Sequence, residues 1–211
     1  MTEVGFLVAS TNRGKIREIR QLLGGLPFKI FSLEDVFPGL VCRERGQTFI
    51  DNARTKSLCC RNRWEGFVLG EDSGLEIEAL GGAPGVLSAR FSSPGPTDEK
   101  NNQKVLRLLR DVPTERRKAR FVCALVLSRK GRIIREIRAD VRGRIASEPK
   151  GSRGFGYDPI FTYPPLRKTF AELEPEEKNR VSHRGRALRK LRKFLESHPE
   201  EDPVPRKRLL P

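Results

Sequence analysis

Residues 70–90 hold two adjacent carboxylates, Glu71 and Asp72, directly after the apolar run at 67–69. A hydroxyl at Ser73 follows, and the segment later passes through a turn rich in glycine and proline. Adjacent carboxylates at the end of a strand, with a hydroxyl beside them, suit the binding of a hard cation and the activation of water. An isolated pair of acids is more often a solvated turn, so the rest of the chain must decide between these interpretations.

A polar loop separates the first apolar run of the chain from a helical pattern. It supplies six candidate phosphate-binding or sugar-binding residues: Ser10, Thr11, Asn12, Arg13, Gly14 and Lys15. Backbone N–H groups at a helix N-terminus attract phosphate, and Lys15 in the first turn adds a full positive charge. The GxxxxGK[ST] pattern of a Walker A loop is absent. A polar helix cap explains the loop about equally well.

Glu44 and Lys56 flank the start of a second predicted helix. Glu44 lies in the loop before it, from which its carboxylate could reach a metal ion. Lys56 lies about two turns along the helix, where it could face the same cleft. Thr48 and Asp51 have the spacing of a capping box at the helix start. Taken singly, an exposed acid and an exposed lysine are the favoured interpretations.

Residues 154–158 place two aromatic side chains among glycines, and Phe161 follows shortly after. Phe155 and Tyr157 flank Gly156 and could present flat faces to a ligand, where stacking of one base contributes about 1–3 kcal/mol. Asp158 beside them could accept hydrogen bonds from a base or a ribose. For this short stretch alone, a glycine-rich turn with one aromatic side chain packed inward is somewhat the better interpretation.

Three cationic or titratable side chains, Lys178, His183 and Arg184, converge on the start of the last predicted helix. They offer donors for phosphate and for a purine keto oxygen. A histidine at such a position is more often a structural cap. The further cations along this helix favour a solvated face over a nucleic-acid surface.

The elements that must position these residues alternate between strand and helix patterns. Strands are predicted at 4–9, 67–69, 121–127 and 137–145, the last with a half-buried, strictly alternating pattern. A helical stripe runs over 16–23, and helices are predicted at 48–60, 99–110 and 183–197. The fold class is therefore α/β. We expect one catalytic domain over 1–197 and a flexible tail, rich in proline and charge, over 198–211.

Composition restricts the possible classes of function only loosely. The net charge of +15 favours polyanionic ligands but does not choose between nucleotides and nucleic acid. The four cysteines lack the spacing of a zinc site, and reduced cytosolic thiols are the expected state. No apolar run has membrane-spanning length, and the N-terminus lacks the pattern of a signal peptide.

Together these residues resemble the inosine triphosphate pyrophosphatase family, also called the Ham1 or RdgB-like family. The similarity covers about residues 4–195. The matching motifs, in the order found in the family, are STNRGK, ERGQTFIDNA, GEDSGLEIEALGGAPGVLSAR, GFGYDPIF and AELEPEEKNRVSHRGRA. The last three are long and very specific.

The resemblance implies an elongated mixed α/β fold, with a long twisted central sheet and two lobes flanking a nucleotide cleft. It implies a cytoplasmic homodimer that hydrolyses ITP, dITP and XTP to the monophosphate and pyrophosphate with Mg²⁺, without a membrane or a specific nucleic acid as partner. A related pyrophosphatase for other modified bases, similar to the Maf-type proteins, is the alternative enzyme. A nucleic-acid-binding protein is the alternative from another class, and it leaves Glu71 and Asp72 without a role.

Residue roles follow from the resemblance by position. It implies Glu44 and Asp72 as magnesium ligands, with Asp72 also the base for the attacking water. It implies substrate contacts for the loop at 10–15 and for Ser73, Lys56 and Arg90, the last two at the triphosphate. It implies contacts around the base and phosphates for Phe155, Gly156, Tyr157, Asp158, Lys178, His183 and Arg184.

Arg184 is expected to favour a purine with a 6-keto oxygen. A guanidinium only donates hydrogen bonds, so it pairs with a keto oxygen and not with the 6-amino group of adenine. A buried donor left unpaired costs about 1–3 kcal/mol, which would act against ATP. Two departures from the family pattern occur: Ser10-Thr11 stands where many bacterial members have Thr-Gly, and Glu71 replaces the commoner aspartate.

Overall fold

The computed structural model describes residues 4–198, which form one mixed sheet of seven strands with helices on both faces. The strands are β1 (Val4–Val8), β2 (Phe28–Ser32), β3 (Phe67–Ile77), β4 (Lys118–Arg129), β5 (Arg132–Ile145), β6 (Phe161–Tyr163) and β7 (Lys168–Thr169). The helices are α1 (Arg13–Leu23), α2 (Leu33–Val36), α3 (Phe49–Leu58), α4 (Asp98–Leu108), α5 (Pro175–Val181) and α6 (His183–Ser197). The predicted α/β class is confirmed. Apart from His198, the expected tail lies outside the described residues.

The sheet has the strand order β2-β1-β3-β4-β5-β6-β7. Strands β1, β2 and β3 are parallel, whereas β3, β4 and β5 form a long antiparallel meander. Pairing of β1 with β3 ends at Val8 and Leu69. Beyond that pair, in the described part of the chain, β3 continues without a strand on this edge over residues 70–74. The uncovered edge is where the candidate site lies.

The two faces of β3 meet different helices. Phe67 and Leu69 pack in a core cluster with residues of α1 and α6. Apolar side chains of β4 on the opposite face pack on Phe49 and Ala53 of α3. Gly70 allows α3 to lie directly on the sheet, because a Cβ atom there would stand 2.0 Å from the carbonyl oxygen of Ala53.

The acids Glu71 and Asp72 lie within β3 and not at its end, so that prediction is wrong. The strand continues to Ile77, and the glycine-rich turn follows only there. The strand was predicted to end at residue 69 because glycine and acidic residues, which follow there, are depleted in strands. Eleven consecutive residues of β3 nevertheless pair with β4, from Phe67 to Ile77.

Most other element predictions are close. The last helix has the predicted bounds, and α4 begins at Asp98 instead of residue 99. Thr48 caps α3 by accepting a hydrogen bond from the Asp51 amide. The Asp51 carboxylate accepts from the Thr48 hydroxyl, so the reciprocal backbone bond of a capping box is replaced by a bond between side chains.

Cys42 and Cys59 form a disulfide with a Cα–Cα distance of 5.8 Å. The expectation of four reduced thiols is therefore wrong for this pair, while Cys60 and Cys123 are free and buried. The sequence separation of the pair is 17 residues, so the contact depends on tertiary structure and not on a local motif. Among residues 4–198, no helix is long and apolar enough to cross a membrane.

Candidate active site

A cleft of about 330 Å³ opens at the uncovered edge of β3. It brings together most of the residues that the sequence predicted from five separate segments. These are Ser10, Thr11, Asn12, Lys15, Glu44, Lys56, Asp72, Ser73, Arg90, Phe155, Gly156, Tyr157, Asp158, Lys178, His183 and Arg184. The other two predicted residues, Arg13 and Gly14, do not line the cleft, and Arg13 is exposed.

The loop between β1 and α1 carries a lysine into the cleft. Asn12 caps α1, with its Oδ1 accepting a hydrogen bond from the Lys15 amide at 3.0 Å. The Lys15 ammonium lies 2.8 Å from Oε2 of Glu71. Gly14 touches the ring of Phe155, since a Cβ atom at this position would stand 2.6 Å from the ring. Gly14 therefore shapes the site through Phe155 and not as part of the cleft wall.

Glu71 is a fully buried carboxylate surrounded by donors. Its Oε1 accepts from Nε and Nη2 of Arg184 at 3.3 and 3.2 Å, and the Cys123 thiol lies 3.6 Å away. Burial alone would raise the pKa of Glu71, but Lys15 and Arg184 outweigh it and hold the pKa well below its ordinary value. Glu71 is thus a permanent anion between two cations.

Asp72 points to the opposite face of β3, towards α3. Its Oδ2 accepts from the side-chain amide of Asn52 at 3.0 Å, and its Oδ1 lies 3.2 Å from the Lys56 ammonium. Burial raises the pKa of Asp72 and Lys56 lowers it, and the net pKa is above its ordinary value. A carboxylate whose proton affinity is raised is better suited to accept a proton from water.

Glu44 and Asp72 converge on one point. The Lys56 ammonium stands there, 2.7 Å from Oε1 of Glu44 and 3.2 Å from Oδ1 of Asp72. No group of three or more His, Cys, Asp or Glu side chains with metal-binding geometry occurs among residues 4–198. Mg²⁺ is usually held by one or two carboxylates together with substrate phosphates. Two carboxylates that already share a cationic position therefore fit this ion.

A second charged network lies on the α1 and α6 side of β3. Glu18 of α1 contacts Lys178 through Oε1 at 2.8 Å and Arg184 through Oε2 at 2.5 Å. Lys178 also donates to Oδ2 of Asp158 at 2.5 Å. Burial raises the pKa of Asp158 despite this contact, whereas the cations hold the pKa of Glu18 below its ordinary value. Glu18 thus bridges the two cations, and Lys178 links this network to the aromatic turn, residues 154–158.

The two aromatic side chains of the aromatic turn have different environments. Phe155 is half-buried, with the Lys178 ammonium 4.7 Å and the Arg184 guanidinium 5.3 Å from its ring centroid. Tyr157 is buried in the core, and its hydroxyl donates to the Ser88 carbonyl at 2.8 Å. Phe155 is therefore the ring available for stacking, while Tyr157 anchors the turn.

Helix α4 holds the aromatic turn from the other side of the cleft. The Gly156 amide donates to Oδ2 of Asp98 at 2.6 Å, and its carbonyl accepts from the side-chain amide of Asn102 at 3.0 Å. Asn101 donates to the carbonyls of the 3₁₀ segment Gly85–Arg90. Arg90 ends this segment as an exposed side chain at the rim.

His183 lines the cleft as a neutral imidazole. The ring is 4% exposed and stacks on Phe121, with centroids 4.6 Å apart and planes 13° apart. Burial, and next the cations Arg184 and Lys178, lower its pKa well below the ordinary value. Its buried Nδ1 has no hydrogen-bond partner within the described structure. A neutral ring with an unused nitrogen offers one hydrogen bond to a ligand.

Sequence reasoning missed the side chains that orient the charged groups. Glu18 carried a usable signal, because it is an acid within the apolar stripe of α1, between Ile16 and Ile19. Asn52 carried none, because a single asparagine on a helix does not reveal that it will meet Asp72. Asp98 had the pattern of an ordinary acid in the first turn of a helix.

Comparison with known proteins gives consistent matches. The Ham1 family model matches residues 6–194. The dITP/XTP pyrophosphatase of Gloeobacter violaceus is 45% identical over 186 residues, covering 88% of this chain and 91% of the relative. The dITP/XTP pyrophosphatase of Exiguobacterium sibiricum is 45% identical over 189 residues, covering 90% and 96%.

Two solved structures share the fold over nearly their full length. The HAM1 protein of Coxiella burnetii superposes with a TM-score of 0.83 at 38% identity, covering 92% of this chain and 99% of the other. The Ham1 protein of Staphylococcus aureus superposes with a TM-score of 0.81 at 36% identity and the same coverage.

Proposed function

Because the chain belongs to the Ham1 family, we propose that it hydrolyses non-standard purine nucleoside triphosphates, namely ITP, dITP and XTP, to the monophosphate and pyrophosphate. The observation that carries this proposal is the position of Asp72. Its carboxylate, with a raised pKa, stands at the cleft wall beside Lys56 and Glu44. The same cleft holds Lys15 and, further along, Phe155.

Asp72 is proposed to orient the attacking water and accept its proton. Asn52 holds Oδ2 of the carboxylate, which leaves Oδ1 facing Lys56. The Asn52 amide is itself fixed, because its Oδ1 accepts from the Gly46 amide at 2.8 Å. Positioned proton transfer of this kind typically contributes about 10²–10⁴-fold to a rate.

Glu44 and Asp72 are proposed to hold Mg²⁺. When bound, this ion would neutralise charge on the phosphate oxygens during cleavage. Lys56, which lies between these two carboxylates, would supply positive charge for the leaving pyrophosphate. Lys15 and Arg90 supply further positive charge, from the buried side and from the rim of the cleft.

Base recognition is proposed to lie on the α1 and α6 side. Phe155 stacks on the purine, and His183 offers its unused Nδ1. Arg184 already directs Nε and Nη2 to Glu71 and Ser73, and Nη1 to Glu18. Within residues 4–198, one of its five N–H groups, on Nη1, has no partner and is left for a 6-keto oxygen. The guanidinium is therefore held rigidly before the base arrives.

The experiment measures the products from ITP, dITP, XTP, GTP and ATP with Mg²⁺. We expect pyrophosphate and the monophosphate as direct products, with ITP, dITP and XTP far ahead of ATP, and loss of turnover with EDTA. Orthophosphate as the direct product, or equal turnover of ATP, would contradict the proposal. Homodimerisation and a cytoplasmic location belong to the same proposal. Sedimentation at several concentrations tests the first, and fractionation of cells tests the second.

A further inference from the structure

Cys42 and Cys59 form a disulfide, and the side chains that contact Asp72 lie mostly between these two cysteines in the sequence. The two cysteines are 17 positions apart. Between them lie Glu44, Asn52 and Lys56, which form the ion pair and hydrogen bond on this side of the cleft. Cys42 itself lines the cleft, two residues before Glu44. The covalent link thus bounds the segment that supplies one of the two proposed metal ligands.

Residues 41–47 (the 41–47 segment) make few other contacts. They have no helix or strand, and the side chains of Arg43 and Arg45 are exposed. Apart from the disulfide, two polar contacts fix the segment within the described structure: Glu44 with Lys56, and the Gly46 amide with Asn52. A backbone with few buried contacts opens locally at low cost, so the disulfide is a major constraint on where Glu44 lies.

The two bonded cysteines are also the accessible ones. Cys42 and Cys59 are half-buried, whereas Cys60 and Cys123 are fully buried. A small reductant can therefore reach the disulfide through the cleft side, and the free thiols are shielded from exchange. Cys60, although next to Cys59 in sequence, packs in the apolar cluster with Leu33 and Val68.

We propose that Cys42 and Cys59 are a thiol–disulfide modification site that controls the position of Glu44, and so the affinity of the site for Mg²⁺. The functional consequence rests on the proposed hydrolase function. The reductant is a dithiol. One thiolate attacks a sulfur of the pair, the S–S bond breaks and a mixed disulfide forms. The second thiolate then releases the protein with two thiols, and the dithiol leaves as its own disulfide.

The first test needs no activity. Oxidised and dithiol-treated protein are alkylated under native conditions and mapped by mass spectrometry, and cleavage by trypsin after Arg43 and Arg45 is timed. We expect no alkylation of Cys42 and Cys59 before reduction and complete alkylation after it. Cleavage in the 41–47 segment should become roughly tenfold faster on reduction, because the segment opens more often. Free thiols in the oxidised protein, or unchanged cleavage, overturn the proposal.

Two variants separate the disulfide from general effects of the reductant. Cys59→Ser should show the fast cleavage at all times and no response to the dithiol. Cys60→Ala is the matched control, because it alters the neighbouring cysteine and keeps the disulfide, so its response should equal that of the parent protein. A response retained in Cys59→Ser would contradict the assignment to this pair.

The second test titrates Mg²⁺ calorimetrically into oxidised protein, reduced protein and Cys59→Ser, in the presence of a non-hydrolysable ITP analogue. We expect several-fold weaker Mg²⁺ binding in the last two, and a matching rise in the half-saturating Mg²⁺ concentration in turnover. Equal binding in all three overturns the link to Glu44. If the protein hydrolyses no nucleotide, only the proposed function fails, since cleavage, alkylation and binding do not depend on turnover.

Discussion

Glu71 and Asp72 are neighbours in β3, yet their carboxylates lie on opposite faces of the sheet and have opposite pKa shifts. Glu71 is fully buried, and Lys15 and Arg184 hold its pKa well below the ordinary value. Asp72 is 5% exposed, and burial raises its pKa. Alternation of side chains along a strand is the cause. One acid therefore serves as a fixed counter-ion and the other as the candidate base.

Asp72→Asn should lower kcat by about 10²–10⁴-fold, because the candidate base is lost while the shape is kept. The thermal midpoint should stay equal or rise, since burial disfavours the charged form of Asp72. Single-turnover release of pyrophosphate and thermal unfolding at pH 7 measure both effects. Retained turnover would remove Asp72 from the role of base.

Glu71→Gln should instead lower the free energy of unfolding by about 3–5 kcal/mol at pH 7, because the cations Lys15 and Arg184 lose their buried negative partner. The pKa of Glu71 is depressed in the folded state, so its stabilisation is complete above the ordinary value of 4.5 and is lost as the pH falls through the folded value. The difference from the parent protein should therefore shrink below about pH 4.5. Urea unfolding from pH 3 to pH 8 measures it.

Glu34→Gln is the control for this experiment, because Glu34 is an exposed acid on α2. It should change the free energy of unfolding by less than about 0.5 kcal/mol at any pH in the range. A constant difference between Glu71→Gln and the parent protein down to pH 3 would show that charge is not the source of the effect.

Phe155→Leu should raise the KM for ITP by about 5–150-fold, which corresponds to the loss of about 1–3 kcal/mol of base stacking. Gly14→Ala should also raise the KM, because the added Cβ atom displaces the Phe155 ring. The double variant should be much less impaired than the product of the two effects, since both act on one ring. Steady-state kinetics of the three variants measures the coupling free energy between the two positions. Multiplicative effects on KM would contradict the contact between Gly14 and Phe155.

Tyr157→Phe should lower the free energy of unfolding by about 1 kcal/mol and leave the KM for ITP nearly unchanged. The variant removes the hydrogen bond from the Tyr157 hydroxyl to the Ser88 carbonyl and keeps the ring. Chemical unfolding and steady-state kinetics are compared with those of Phe155→Leu. A large rise in KM would show that the Tyr157 hydroxyl contacts the substrate.

The sequence predicts the local parts of this molecule well. The apolar stripe of α1 and the alternation of β5 appear as expected, because each is set by neighbouring residues. The strand end at residue 69 was wrong, because pairing of Gly70 and the two acids with β4 is a long-range effect. Strand β2 was missed, because its run Phe28–Ser32 is short and alternates only partly between buried and exposed side chains.

The candidate site shows the same division. Motif residues such as Lys15 and Asp72 were found because their types carry chemistry. Their orienting partners were not, because Asn52 reaches Asp72 across 20 residues and Glu18 reaches Arg184 across 166. The Cys42–Cys59 bond also depends on how the loop before α3 returns to the end of that helix.

The edge of β3 that β1 leaves uncovered opens both faces of one strand to the same cleft. Under the proposed function, recognition of the base and breakage of the phosphoanhydride would be carried by separate sets of residues, which lie on opposite faces of the sheet. Such a division makes specificity adaptable. A laboratory selection for a new base should accumulate substitutions around Phe155 and His183, and leave Asn52 and Lys56 as they are.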